Sequence, residues 1–367
     1  MKKFIQRYLL PGAIFQSVVI GGGYGTGREL AEFFMPHGPL GGLFSMMVAT
    51  AIWGTVLAAS FEFARVTGSY DYRSFFRNLL GPFWILFEIA FLLFMVIVLS
   101  VIGAAAGELA HAAWGLPKFA GSGGFLLAVI VLVFYGSNLV AGFLSVWSLL
   151  LYVVYFIFLA TTLAKAGNVA IANLSTQQVT PGWLWDGVRY AGYNMSVVPV
   201  VLFAIRPLKT RRQALTSGYL AGIIAIAPAV FFFIAMTAYY PDITSAALPA
   251  SYILDALGIF WLTILFQVML LGTFVETGAG LIHSVNERIA ANFEERGAQM
   301  SRFVRPAVAF VMLTVSILLA MSVGLVDLIA KGYGILTYVF IAIFILPLLT
   351  VGVWKIMQAD KRSKTAG

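Results

Sequence analysis

Ile20-Gly21-Gly22-Gly23-Tyr24-Gly25-Thr26-Gly27-Arg28-Glu29 sets five glycines in seven positions inside an otherwise apolar stretch of the chain. Glycine costs about 1 kcal/mol relative to alanine in a helix interior, so a regular helix does not run through this run. In hydrocarbon the backbone groups freed by such a break need partners, and irregular backbone is tolerated only where it is buried in protein or lines a wet cavity. One reading is an unwound joint between two half-helices, Tyr8–Ile20 and Gly27–His37. Its carbonyls would suit a cation, and the N-terminus of the second half-helix an anion. The other is close helix packing through small residues; packing glycines recur every fourth residue, whereas these crowd together. The spacing misses G-x-G-x-x-G and no strand precedes it, so a nucleotide site is unsupported.

The rest of the chain supplies the membrane. Of 367 residues, 61% are hydrophobic and 10% charged, against about a quarter charged in soluble domains. That excludes a soluble enzyme, a nucleic-acid reader and a disordered chain, and leaves a multi-pass protein of the lipid bilayer, in the cell membrane. Ten segments reach the length of about 20 apolar residues that a spanning helix needs. They lie at roughly 8–36, 40–65, 83–114, 122–141, 143–165, 183–206, 213–240, 258–287, 302–323 and 325–356, and are numbered spans 1 to 10 below. The longer connections, about 66–82, 166–182, 241–257 and 288–301, have room for small surface helices. No soluble domain is visible, so residues 1–367 read as one transmembrane domain. The opening MKKFIQRYLLPGAIF superficially resembles a signal peptide, but it runs into the glycines with no small-x-small cleavage site and reads as the first span.

Charge sets the expected orientation. Most of the 23 Lys and Arg residues fall on one side: Lys2, Lys3, Arg7, Arg65, Arg73, Arg77, Arg206, Lys209, Arg211, Arg212, Arg288, Arg296, Arg302, Arg305, Lys355, Lys361, Arg362 and Lys364. The positive-inside rule places them, and both termini, in the cytoplasm. The net charge of +8 is thus a property of one membrane face. With no cysteine, disulfides and thiolate sites are excluded. His37, His111 and His283 are too scattered for a zinc motif, and no metal or resident cofactor is expected.

Span 6 carries a second interruption, Tyr190-Ala191-Gly192-Tyr193-Asn194-Met195-Ser196-Val197-Val198-Pro199, whose Gly, Asn, Ser and Pro are poor helix formers. A simple Pro199 kink in a packed helix is the alternative. Spans 1 and 6 hold the same place in two sets of five, about 8–165 and 183–356. An odd number of spans per set makes the second enter from the opposite face. Inverted repeats with broken helices are a transporter architecture.

Acids inside spans are costly and are functional candidates by default. Glu62 precedes Arg65 by three residues and reads as a local ion pair. Glu88 lies near a cytoplasmic end, while Glu32 and Glu108 lie toward the outside. Glu276 sits midway along span 8. Met269, Thr273, Glu276, Gly280, His283 and Glu287 recur at three- and four-residue steps and share one helix face, so His283 could relay protons from Glu276. A Glu276 buried only for packing is the competing reading. Arg28 could hold a substrate carboxylate or form an outer gate with an acid such as Asp327. Glu29 could neutralise Arg28 or meet a substrate amine. Both could instead pair with neighbouring helices and touch no ligand. Lys331-Gly332-Tyr333-Gly334 reads as a bend, and Tyr24, Tyr193 and Tyr333 near breaks as an aromatic lid or as packing.

GGGYGTGRE in span 1, GYNMSVVP in span 6 and VETGAGLIHSVNER in span 8 resemble the amino acid–polyamine–organocation superfamily, whose members share the LeuT fold, and within it the YkvI-like bacterial membrane proteins. The similarity covers nearly the whole chain. It implies ten helices, with spans 1, 2, 6 and 7 as a bundle moving against spans 3, 4, 8 and 9, and substrate between the two breaks. The implied substrate positions are Gly21, Gly22, Gly23, Tyr24, Gly25, Thr26, Gly27, Tyr193, Asn194, Met195 and Ser196. A sodium site carried over from the family would use the carbonyls of Ile20 and Gly23 with Thr273, Glu276 and Thr277. A carboxylate replaces one of the family's hydroxyls there, so Glu276 is either an anionic sodium ligand or a proton carrier.

The expected function is sodium- or proton-coupled secondary transport of a small organic solute, an amino acid or amine-bearing compound, by a monomer or homodimer. A transition-metal transporter of the same fold, kept open by Met195, and a membrane solute sensor or receptor subunit without transport are the alternatives. No Ser-His-Asp arrangement, metal cluster or nucleotide motif supports an enzyme.

Overall fold

The computed structural model describes residues 2–134, 137–176, 178–295, 297–298, 300–301 and 303–365. Every element among the described residues is helical. Eight helical stretches are long and apolar enough to cross a membrane, and the shorter apolar helix Lys118–Phe134 lies between two of them. This is an all-helical, multi-pass membrane protein.

Span 1 breaks where the glycines are. A helix over Leu10–Val19 ends at Ile20, whose ψ of 85° has left the helical region. A single helical turn, Gly22–Gly25, follows. Gly27 then takes a left-handed φ of 80° and the second half-helix runs over Arg28–Phe33. The joint is therefore two bends around one turn, tighter than a fully unwound strand.

Span 6 differs from expectation. Helix Trp183–Asn194 passes directly into a 3-10 helix, Met195–Ile205, with Pro199 inside it. The chain is rewound at Asn194 and does not open. Pro199 lacks the N–H that an α-helical bond would need, and a 3-10 run this long is uncommon outside strained or hinge segments.

Other departures are local. The expected loop 166–182 is largely helix, because Ser137–Thr176 continues through a kink at Ala166. The connection 66–82 holds helix Tyr72–Leu80. The connection 241–257 holds a 3-10 turn, Asp242–Ser245, and helix Pro249–Leu257. The expected bend at Lys331–Gly334 takes the form of a π-helical stretch, Leu328–Tyr333. Glu287, Arg288 and Arg362 have side chains outside the described set, as do residues Arg296 and Arg302.

Helices Gly38–Thr67 and Arg211–Thr237 pack most extensively against one another, and both meet span 1 or span 6. Glycines allow the approach: a Cβ on Gly222 would lie 2.8 Å from the backbone nitrogen of Gly54, the small-residue contact that lets membrane helices touch backbone to backbone. Trp84–Trp114, Lys118–Phe134, Phe260–Glu295 and Val304–Val323 contact one another as a second group. The span 1 joint lies between the two groups.

Candidate functional site

The backbone groups of the span 1 joint find partners from several directions. The Ile20 carbonyl accepts from the Thr277 hydroxyl at 3.3 Å. The Gly23 carbonyl accepts from Thr26 Oγ1 at 3.0 Å, and Gly25 from the Tyr155 hydroxyl at 3.3 Å. The Thr26 carbonyl accepts from the backbone N–H of Ala250 at 3.0 Å. Thus span 5, span 8 and the 241–257 connection all hold the joint. That is how irregular backbone survives at membrane depth.

Two cavities meet there. A small one, about 20 Å³, is lined by residues that include Gly21, Glu29, Phe94, Tyr193, Asn194 and Tyr333. A large one, about 720 Å³, is lined by Leu10–Ile20 residues of span 1, by Val200 and Phe203 of span 6, and by Glu276, Thr277, Gly280 and His283 of span 8. Val18 and Leu281 line both. The large cavity is thus lined by the first half of span 1 and the second halves of spans 6 and 8.

The opposite side is shut. Arg28, 5% exposed, donates to Glu32 Oε2 at 2.6 Å and to the carbonyls of Thr244 and Ala246 at 3.0 Å each. This ties the second half-helix to the 241–257 connection. Tyr193 and Tyr333 stack at 4.4 Å between ring centres, and Phe33 packs against Tyr190 and Tyr193 at 5.8 Å each. Beyond them His37 Nε2 meets Asp186 Oδ2 at 2.8 Å. Arg189 holds the other Asp186 oxygen at 2.8 Å.

The candidate residues separate accordingly. Glu276, Thr277, Gly280 and His283 share the wall of the large cavity. Thr273 donates to the Met269 carbonyl of its own helix at 2.9 Å. The Arg28–Asp327 gate does not form: Arg28 takes Glu32, and Asp327 pairs with Lys331 at 3.2 Å. Glu29 does not neutralise Arg28; it accepts from the Tyr193 hydroxyl at 2.6 Å. Met195 is fully buried and lines neither cavity. Asn194 lines the small cavity and donates to the Tyr190 carbonyl at 2.9 Å. Among the described residues the buried hydroxyl of Ser196 has no hydrogen-bond partner, and a Cβ on Gly23 would run into the Glu29 carboxylate. Glu62 does pair with Arg65 at 2.7 Å.

Several contributors were not foreseen. Gln16, Ser17 and Tyr152 line the large cavity, and Phe94 and Val98 of span 3 the small one. Tyr155 and the His37–Asp186–Arg189 network were missed as well. A tyrosine in an apolar helix carries no local sign that its hydroxyl reaches another span. His37 and Asp186 are 149 residues apart.

No protein-family model matches the sequence, and no curated protein is similar to it in sequence. Solved structures match in fold. The structure of MhsT in complex with L-phenylalanine aligns over 96% of this chain and 98% of its own, with TM-score 0.64 at 15% identity. A Na+-coupled sialic acid symporter in a substrate-bound outward-open state aligns over 93% and 78%, with TM-score 0.65 at 13% identity. The Eremococcus coleocola manganese transporter aligns over 97% and 85%, with TM-score 0.58 at 14% identity. At these identities the likeness is one of fold, and the chain has the LeuT fold of these transporters.

Proposed function

We propose that the protein is a cation-coupled secondary transporter of a small organic solute, an amino acid or amine-bearing compound, and a carrier with no enzymatic role. The observation that carries this reading is the one-sided access to the span 1 joint. A cavity of about 720 Å³ reaches it along the first half of span 1, while Arg28 and the 241–257 connection cover the second half. That is what one limb of an alternating-access cycle requires. With the termini in the cytoplasm, the state is inward-facing. The repeats, about 8–165 and 183–356, supply the related second state by inverted symmetry.

Coupling is assigned to the Ile20 carbonyl, Thr277 and Glu276. In this state Thr277 already spans to Ile20, so a sodium ion would displace that hydrogen bond and gather both oxygens. Na+ is the coupling ion of the sialic acid symporter similar in fold. Glu276 faces the large cavity beside His283, which keeps a proton route open as the second coupling mode. The motif resemblance to the amino acid–polyamine–organocation superfamily, YkvI-like branch, belongs with this reading.

Reconstitution tests it. Proteoliposomes should accumulate a labelled amino acid or amine from a mixed pool under an imposed sodium or proton gradient, and lose that accumulation with an ionophore. Absence of gradient-driven accumulation under either ion would reject the proposal.

A further inference from the structure

The small cavity holds a charge problem. Glu29 is 3% exposed, and it accepts a hydrogen bond from the neutral hydroxyl of Tyr193 at 2.6 Å. No Lys, Arg or His forms an ion pair with it among the described residues. Its chain neighbour Arg28 is spent on Glu32, Thr244 and Ala246. A buried carboxylate is costly to hold without a counter-charge. From this geometry we infer that the small cavity binds the ammonium head of an amphipathic amine, with Glu29 as its counter-charge, and that the substrate carries no carboxylate.

Size and walls agree. About 20 Å³ is room for roughly one water-sized group, which an –NH3+ head matches. Tyr193, Tyr333 and Phe94 line it, and aromatic rings favour a neighbouring cation. Val18 and Leu281 border both cavities, so an apolar tail that displaces these two side chains would reach Ile14, Val200 and Phe203 in the large one. A zwitterion would bring its carboxylate beside Glu29 with no Lys or Arg among the described residues that line either cavity, and like charges in one buried site repel.

This inference takes its substrate site from the transport reading, and a binding measurement separates the two. The purified full chain in detergent is titrated with phenethylamine, L-phenylalanine, 3-phenylpropionate and ammonium chloride, and binding is followed by thermal stabilisation. Phenethylamine is expected to stabilise at millimolar concentration, and the other three much less. Glu29→Gln is expected to weaken amine binding by about tenfold or more, since a charge-assisted bond becomes a neutral one. The inference is overturned by no response to phenethylamine, by phenylalanine or phenylpropionate binding as tightly, by ammonium chloride matching the amine, or by unchanged binding in Glu29→Gln. If that variant does not fold, the wild-type ranking decides alone, and Tyr333→Leu should still weaken amine binding severalfold. Amine binding without gradient-driven flux would reject the transport reading and leave this inference standing. Flux of carboxylate solutes only would do the reverse.

Discussion

Glu276 and Glu29 are similarly buried acids with different company. Glu276 shares a cavity wall with Thr277 and His283, whereas Glu29 is enclosed by aromatic rings and the span 1 glycines. Glu276→Gln preserves shape and removes the ionisable group. It should cut gradient-driven uptake by about tenfold or more while equilibrium solute binding survives; uptake at the wild-type rate would remove Glu276 from coupling. Gly27 is a second residue-level test. Its φ is +80°, and a Cβ there would lie 2.8 Å from the Phe232 ring. Gly27→Ala should therefore destabilise the fold by about 1–3 kcal/mol, read as a lower melting temperature in detergent. The special backbone at this residue was legible, because only crowded glycines break an apolar span this way. The Tyr193 hydroxyl on Glu29 was not, because the two lie 164 residues apart and nothing local to either announces the other.

At the scale of elements, the second half-helix of span 1 and the 241–257 connection form one lid, fastened by Arg28. A hydrogen bond to a charged group is worth about 1.5–3 kcal/mol, so Arg28→Ala should loosen the lid. The chain lacks cysteine, which leaves a single Val197→Cys in the small cavity as a clean reporter. Its labelling from the outer face by an impermeant maleimide should rise roughly tenfold in the Arg28→Ala background; an unchanged rate would show that the lid is held elsewhere. Sequence alone left Arg28 open between a substrate carboxylate, a gating acid such as Asp327 and neighbouring helices, since carbonyls at the end of a 3-10 turn have no side-chain signature. The connection 66–82 offers a simpler case. Asp71 caps helix Tyr72–Leu80 by accepting from the Ser74 N–H at 2.9 Å. Burial pushes its carboxyl up, but bonds from the Ser74 hydroxyl and backbone N–H groups outweigh this and leave it below the usual range. The stabilisation it adds is present above the unfolded-state value of about 3.9 and is lost as pH falls through the lower folded value. Asp71→Ala should cost about 1 kcal/mol at neutral pH, and the difference from wild type should vanish in acid, as thermal melts across pH would show.

At the scale of the whole molecule, the membrane class and the position of the first joint are legible in the sequence. Apolar length fixes helices, and five clustered glycines fix where one of them stops. Span 6 was harder. Gly192, Asn194 and Pro199 mark a weak point, but whether the chain opens or tightens into 3-10 winding depends on packing against its neighbours, among them Trp53 and Thr337. Which face of the molecule is open was not legible at all, since one sequence would have to support both states of the proposed cycle. The central claim is therefore that the 720 Å³ cavity is one limb of that cycle, reached from the cytoplasm. Ser17 lines it and precedes the joint. The decisive measurement is maleimide labelling of Ser17→Cys from each face of sealed vesicles, with sodium and phenethylamine present or absent. The account predicts labelling from the cytoplasmic face alone, at a rate that changes when ion and amine are added together. Labelling from the outer face, or a cytoplasmic rate indifferent to both, would contradict it.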